Sequence, residues 1–221
     1  MEIDNIILHE TARMETYKGL SECFHLPHNE FDMSLKSLER QLCTLVSKSS
    51  GMVSHMRCKI QDQSQLEQLT IDFTKLFVGP YGLKASPYGS IYLEGERKFM
   101  GDSTIDVMEQ YRAAGIVVSD SFREAPDHIV AELEFMYFLI FKEIGAIQSE
   151  KEGVSQEFLL RQKEFLQRHL GMWVGAFSSA VKKHAETDFY QDLAVATSIF
   201  IRQDLEYLCS LEVFEMECDE V

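Results

Sequence analysis

No stretch of this chain joins a basic leader to an apolar run of export length, and its longest apolar run, FMYFLIF at 135–141, falls far short of the roughly 20 residues a bilayer needs. Nothing in it reads as an exporting or anchoring segment, so a cytoplasmic protein is expected. Cationic side chains are scarce, 21 against 36 acidic ones, for a formal net charge of −15. That balance argues against nucleic acid, whose phosphates require lysine and arginine, and against an anionic membrane surface. It suits a basic partner, whose encounter an acidic field accelerates. The five cysteines (23, 43, 58, 209 and 218) are odd in number and none forms CxxC, so neither a disulfide framework nor a zinc ribbon is expected. Reduced thiols again suit the cytoplasm.

Motifs of the common chemistries are also missing. There is no P-loop, no GxGxxG and no GxSxG. Gly79-Pro80-Tyr81-Gly82 is rich in glycine, but its proline removes a donor that a phosphate would use. One Glu-x-x-His, Glu22 to His25, stands where a di-iron bundle would need two. His55 and Cys58 could share a metal, yet no second pair stands near them in sequence. No cofactor or metal is expected.

What is present is helical periodicity. Residues 126–147, PDHIVAELEFMYFLIFKEIGAI, read as the central helix. Pro126 suits its first position, Asp127 its first turn, and the run 135–141 predicts burial on every side. Before it, the spacing predicts helices over 3–24 (Ile3, Ile6, Ile7, Met14, Tyr17, Leu20 and Phe24 inward), from Asn29 to a stop near Ser49-Ser50-Gly51, from Ser64 through Phe77, and from Ser103 to Ala114. After it come a helix from Ser155, a segment around HLGMWVGAF that continues or bends at Gly171, and a last helix from Thr187 or Asp188. The terminal LEVFEMECDEV reads as a frayed acidic tail. Period-two alternation is limited at most to 90–94, SIYLE. The expected architecture is all-α, a single helical domain over 1–221 with roughly eight helices.

One segment breaks the pattern. Gly79, Pro80, Gly82, Pro87, Gly89, Gly95 and Gly101 leave no room for a helix across 79–102. Tyr81, Tyr88, Tyr92 and Phe99 are threaded through it, which predicts an ordered loop packed on the body. Two readings stand side by side: a binding loop, or a structural loop covering a bare core edge. The Asp127-His128 turn likewise reads as a binding site or as a plain helix start. A groove of Leu76, Phe77, Tyr88 and Tyr92 beside carboxylates would suit a peptide carrying arginines followed by apolar residues. The rival is an enzyme, a nucleotide (GTP) hydrolase or a thiol-dependent transferase in which a cysteine meets His128.

The segments LFVGPYGLKASPYGSIYLEGE (76–96), GDST (101–104) and APDHIVAELEFM (125–136), with the run 165–205, resemble the TorD/DmsD/NarJ family of cytoplasmic redox-enzyme maturation chaperones. The resemblance covers about 64–208, and the first sixty residues carry little of it. Asp127 and His128 match the family's Asp-His pair. Leu76, Phe77, Gly79, Pro80, Pro87 and Tyr92 match its aromatic-loop motif. Ser86-Pro87 stands where Pro-Pro is frequent, and Tyr88 where some members carry tryptophan; both bear on peptide preference.

The resemblance implies an all-α fold without turnover. It implies binding to the twin-arginine leader and apoprotein of a molybdopterin-dependent oxidoreductase, held for cofactor insertion before export. It also implies weak GTP binding in some members, and a monomer or a dimer made by exchanging helices, with 115–125 as the hinge. In that reading Asp127, with Glu94, Asp102 or Glu132, pairs with the leader arginines. The loop aromatics take the apolar segment, Pro126 stands beside Asp127 as a further peptide-binding residue, and His128 bonds the peptide backbone or fixes Asp127.

Overall fold

Among the described residues ten α-helices and one π-helical turn follow one another: α1 (Glu2–Cys23), α2 (Phe31–Leu45), α3 (Ser47–Cys58), α4 (Gln63–Phe73), the π-turn Thr74–Val78, α5 (Gly89–Leu93), α6 (Asp102–Ala113), α7 (Ile129–Gln148), α8 (Glu152–Arg168), α9 (Leu170–His184) and α10 (Asp188–Ser210). The computed structural model describes residues 2–28, 31–60, 62–79, 82–95, 100–117 and 124–211. Pro80, most of the expected hinge 115–125 and the acidic tail lie outside the described residues. Among those described there is no strand, only an isolated antiparallel bridge between Tyr88 and His128. The all-α expectation holds, with two helices more than the periodicity suggested.

The extra helices have local causes. The second predicted helix breaks at Val46 (φ −145°, ψ 86°) instead of stopping near Gly51, and α3 runs through Gly51. Val46 is buried, so the break keeps an apolar side chain inward while letting α3 pack on both α2 and α10. The other addition is α5, a helix of five residues inside the glycine-punctuated segment, where SIYLE had suggested alternation.

α7 packs against α1 on one side and α8 on the other. Phe135, Met136, Leu139 and Ile140 are buried, but Phe141 is 55 % exposed and Tyr137 and Phe138 are half-buried. The expectation of burial on all sides is therefore corrected: among the described residues no neighbour fully covers the third face. α1 is corrected too. Ile3 and Ile6 face solvent, whereas Glu10, Arg13 and Thr16 are buried beside Tyr17 and Leu20. Arg13 donates to both oxygens of Asp204 on α10, at 2.6 and 2.9 Å, and to Gln162 on α8 at 3.0 Å. A buried ion cluster, not an apolar stripe alone, ties α1 to the C-terminal helices.

Several helix starts are capped from afar. Asp72 on α4 accepts from the backbone N–H groups of Glu186 and Thr187 ahead of α10. Glu94, just after α5, accepts from the Ser103 N–H at 2.7 Å and so caps α6, the task the sequence suggested for Ser103 itself. α8 and α9 meet at His169 in a bend. There, a side chain on Gly171 would come within 2.4 Å of the Leu166 carbonyl oxygen.

Candidate functional site

The loop and the turn before α7 meet. Ile129 N–H donates to the Pro87 carbonyl at 2.8 Å and Gly89 N–H to the Asp127 carbonyl at 2.9 Å. The Asp127 side chain completes the junction, its Oδ2 accepting from the Ser90 N–H at 2.8 Å. Because these backbone groups are committed to the loop, α7 starts at Ile129 rather than at Pro126. Pro126 instead lies buried in the turn, its carbonyl accepting from the Tyr111 hydroxyl at 2.8 Å.

Asp127 is only 1 % exposed. Its carboxylate acts as the N-terminal cap of α5, where a negative charge meets unsatisfied N–H groups. His128 caps α7 in turn, its Nδ1 accepting from the Val130 N–H at 3.2 Å. Burial pushes the His128 pKa down to about 4, although neighbouring Glu124 opposes this, so the ring is neutral at pH 7. A neutral ring is what an Nδ1 acceptor requires. The Tyr88 ring stands edge-on to it at 5.2 Å.

Beneath the loop sits Glu132, also 1 % exposed, accepting from the Trp173 indole N–H at 3.0 Å. Burial pushes its carboxyl well above the usual carboxylate range. The indole hydrogen bond opposes that shift, and the nearby charge of Asp127 adds to it. Tyr92 stacks on Trp173 at 5.7 Å with the rings 11° apart, and its hydroxyl ties back to the Ser86 carbonyl at 2.9 Å. Gly89 must lack a side chain, since a Cβ there would lie 2.8 Å from Trp173 Nε1.

In front of this wall opens a cleft of about 520 Å³. Phe24 and Leu26 line it from the end of α1, Phe73 and Phe77 from α4 and the π-turn, and Leu83, Pro87 and Tyr88 from the loop. His128 and Glu124 close its polar end.

The site residues expected from sequence thus separate into three sets. Phe77, Pro87, Tyr88 and His128 line the cleft. Tyr92, Pro126, Asp127 and Glu132 lie behind or beneath it, and Leu76 is fully buried in the core. Gly79 ends the π-turn at φ +29°, where a Cβ would meet the Gly82 carbonyl oxygen at 2.8 Å. Sequence reasoning missed Phe24, Leu26, Leu83 and Glu124. The available signal was Phe24-His25-Leu26, apolar residues placed after a helix has ended.

Other candidates gain nothing. His55 meets Asp192 at 2.5 Å, but among the described residues no three His, Cys, Asp or Glu side chains are grouped to hold a metal. Cys23 is buried, and burial pushes its thiol upward, the reverse of what an activated thiolate needs. Among the described residues no helix is long and apolar enough to cross a membrane.

Comparison with known proteins places this geometry in a family. The family model described as nitrate reductase delta subunit matches residues 28–179. The chaperone protein TorD of Vibrio parahaemolyticus is 30 % identical over 152 residues, covering 68 % of this chain and 69 % of that one. TorD of Vibrio cholerae is 28 % identical over 216 residues, 93 % of this chain and 95 % of its own. The relationship thus reaches into the first sixty residues, which carried little of it in the motifs. The crystal structure of a protein from Archaeoglobus fulgidus described as a candidate redox enzyme maturation protein shares the fold with a TM-score of 0.50 at 18 % identity, covering 88 % of this chain and 94 % of that one. A helical chain whose glycine-rich loop is bridged to an Asp-His turn, with these relatives, belongs to the TorD/DmsD/NarJ family of redox-enzyme maturation chaperones.

Proposed function

We propose that this protein is a cytoplasmic chaperone without enzymatic turnover that captures the twin-arginine leader of a molybdopterin-dependent oxidoreductase and holds the apoprotein until its cofactor is inserted and export can begin. The observation that carries the reading is the cleft of about 520 Å³ at the junction of loop and turn. Its walls are apolar and aromatic, Glu124 at its rim is exposed, and the chain carries a net charge of −15. A cleft of this size and lining suits an apolar peptide segment, and the carboxylates around it suit a basic one.

In this reading Phe77, Pro87 and Tyr88 contact the apolar part of the leader. Asp127 and Glu132 act from beneath by fixing the loop. His128, neutral, presents its free ring edge to the peptide.

Calorimetry with a synthetic twin-arginine leader tests the reading. Binding on the order of micromolar is expected. Leu83→Lys places a cation among the lining residues at a position already 38 % exposed, and should weaken binding about tenfold or more while leaving the melting temperature unchanged. Absence of binding by the unmodified chain, or indifference to Leu83→Lys, would overturn it.

A further inference from the structure

Asp127 and Glu132 are buried; one oxygen of Asp127 is held by the Ser90 amide and one of Glu132 by the Trp173 indole, while the second Asp127 oxygen is buried without a hydrogen-bond partner among the described residues. A guanidinium arriving from solvent would have to be desolvated to reach either of them. Exposed carboxylates stand elsewhere, beside a second cleft.

This cleft, of about 550 Å³, lies between α1 and α7, with Tyr111, Phe135 and Phe138 among its apolar walls and Glu22 and Glu134 at its rim. Lys18 lines it as well. It adjoins the leader cleft along both helices, since Glu22 precedes Phe24 and His25 on one side and Ala131 follows Val130 on the other. The ridge between the clefts is made by His25 and Glu134, 4.0 Å apart and 55 % and 57 % exposed. Ser21 holds Glu134 from below with a hydroxyl donated at 3.3 Å. Glu124 stands on the leader-cleft side, accepting from the Tyr88 hydroxyl.

We infer that the leader lies across this ridge, with one arginine received by Glu134 and Glu22 above the second cleft and the adjacent arginine by Glu124 above the first. Consecutive side chains of an extended segment point to opposite sides, so two neighbouring arginines on the ridge reach one cleft each. Arginine makes a forked bond to an exposed carboxylate without leaving water entirely. The apolar residues that follow then have an apolar cleft on either side of the ridge to enter. The inference rests on the leader-binding reading and names the side chains that would read its arginines.

A double-mutant cycle tests it, using calorimetry with a twin-arginine peptide and two versions in which one or the other arginine is glutamine. The variants are Glu22→Gln/Glu134→Gln, Glu124→Gln, and Glu206→Gln on α10 as a control for bulk charge. Each of the first two should lose about three- to tenfold in affinity for the twin-arginine peptide. Each should then be indifferent to replacement of one arginine, a different one in each case. Glu206→Gln should keep the wild-type affinity within about twofold.

If the variants discriminate arginine from glutamine as the wild type does, or if Glu206→Gln weakens binding equally, the assignment fails while leader capture stands. If the wild type binds all three peptides alike, the assignment fails in the same way. If the wild type binds none of them, leader capture fails and the assignment with it.

Discussion

The indole N–H of Trp173 donates to Glu132 at 3.0 Å, joining α9 to the first turn of α7 directly behind the cleft. Trp173 is the chain's single tryptophan and is fully buried. Burial raises the Glu132 carboxyl well above the usual carboxylate range and so favours its protonated form, for which an amide is a near substitute. Glu132→Gln is expected to change stability by less than about 1 kcal/mol at pH 7, whereas Glu132→Ala, which leaves the indole N–H unpaired, should cost about 1–3 kcal/mol. Urea titrations followed by Trp173 fluorescence check both. Equal losses would mean that the hydrogen bond contributes nothing and that only side-chain volume matters.

Gly89 allows the loop to lie against that indole. An added Cβ would stand 2.8 Å from Trp173 Nε1 and 3.2 Å from Glu132 Oε1. The indole is walled in by Tyr92 and Phe177, so it cannot swing away as a flexible side-chain tip would. Gly89→Ala should therefore cost about 1–3 kcal/mol and shift the Trp173 emission in the folded state. An unchanged spectrum and melting curve would show that the loop can slide outward at no cost.

The central helix and the ordered loop were legible in the sequence; their meeting at the Asp-His turn rests on the backbone bonds from Ile129 to Pro87 and from Gly89 to Asp127. What periodicity cannot report is which neighbour covers a face. FMYFLIF looks the same whether its third face is packed or half open, and Phe141 is open. Caps supplied from a distance leave no local mark either. Nothing near Thr187 points to Asp72, and nothing near Ser103 points to Glu94. Asp127 was singled out as a binding residue, yet the partner the structure gives it is the Ser90 amide, a contact that spacing along the chain cannot reveal. Arg13 reads as a surface residue because a charge is rarely buried; only the three-dimensional arrangement supplies its partners.

Glu143 on α7 gives the fold a pH dependence of definite sign. It is 3 % exposed, and burial, reinforced by Glu10, raises its pKa from 4.5 to about 7. A group raised in this way contributes stability that is complete below the unfolded value and is lost as pH rises through the folded one. The window is therefore about pH 4.5 to 7, with a loss on the order of 3 kcal/mol across it. His128 acts oppositely, since its depressed pKa costs stability as pH falls from about 6.5 toward 4. The difference between Glu143→Gln and wild type isolates the first effect: the variant should gain on the wild type as pH rises through this window. Parallel stability curves for the two proteins would refute it.

His128 makes a separate prediction about binding. A ring that stays neutral to about pH 4 in the free protein cannot switch the cleft near neutrality. In a His25→Gln variant, which removes the exposed imidazole beside Glu134, leader affinity should thus vary less than about twofold between roughly pH 6 and 8, as calorimetry at matched ionic strength would measure. A steep loss below pH 7 would mean that the ring titrates near its usual value, and hence that the cleft is wetter than this geometry allows.

The cluster around Arg13 sets how firmly α1 is held. Arg13 is 1 % exposed and forked onto Asp204, with Glu10 and Gln162 completing its shell, and the Tyr17 hydroxyl donates to the same Asp204 at 2.8 Å. Removing one partner strands a buried charge, so Arg13→Met and Asp204→Leu should each cost about 3–5 kcal/mol. Removing both leaves no forked pair to break, and the double variant should cost less than the sum of the two by more than about 1 kcal/mol. Arg13→Lys should resemble Arg13→Met more than wild type, because an ammonium cannot reach both Asp204 oxygens and Gln162 at once. Chemical denaturation of the four proteins decides it. Strict additivity would show that the two residues act independently and that α1 is held by Tyr17 and Leu20 alone. Coupling would mean that the buried charges fix α1 against α10, and with it the end of α1 that supplies Phe24, Leu26 and His25 to the leader cleft.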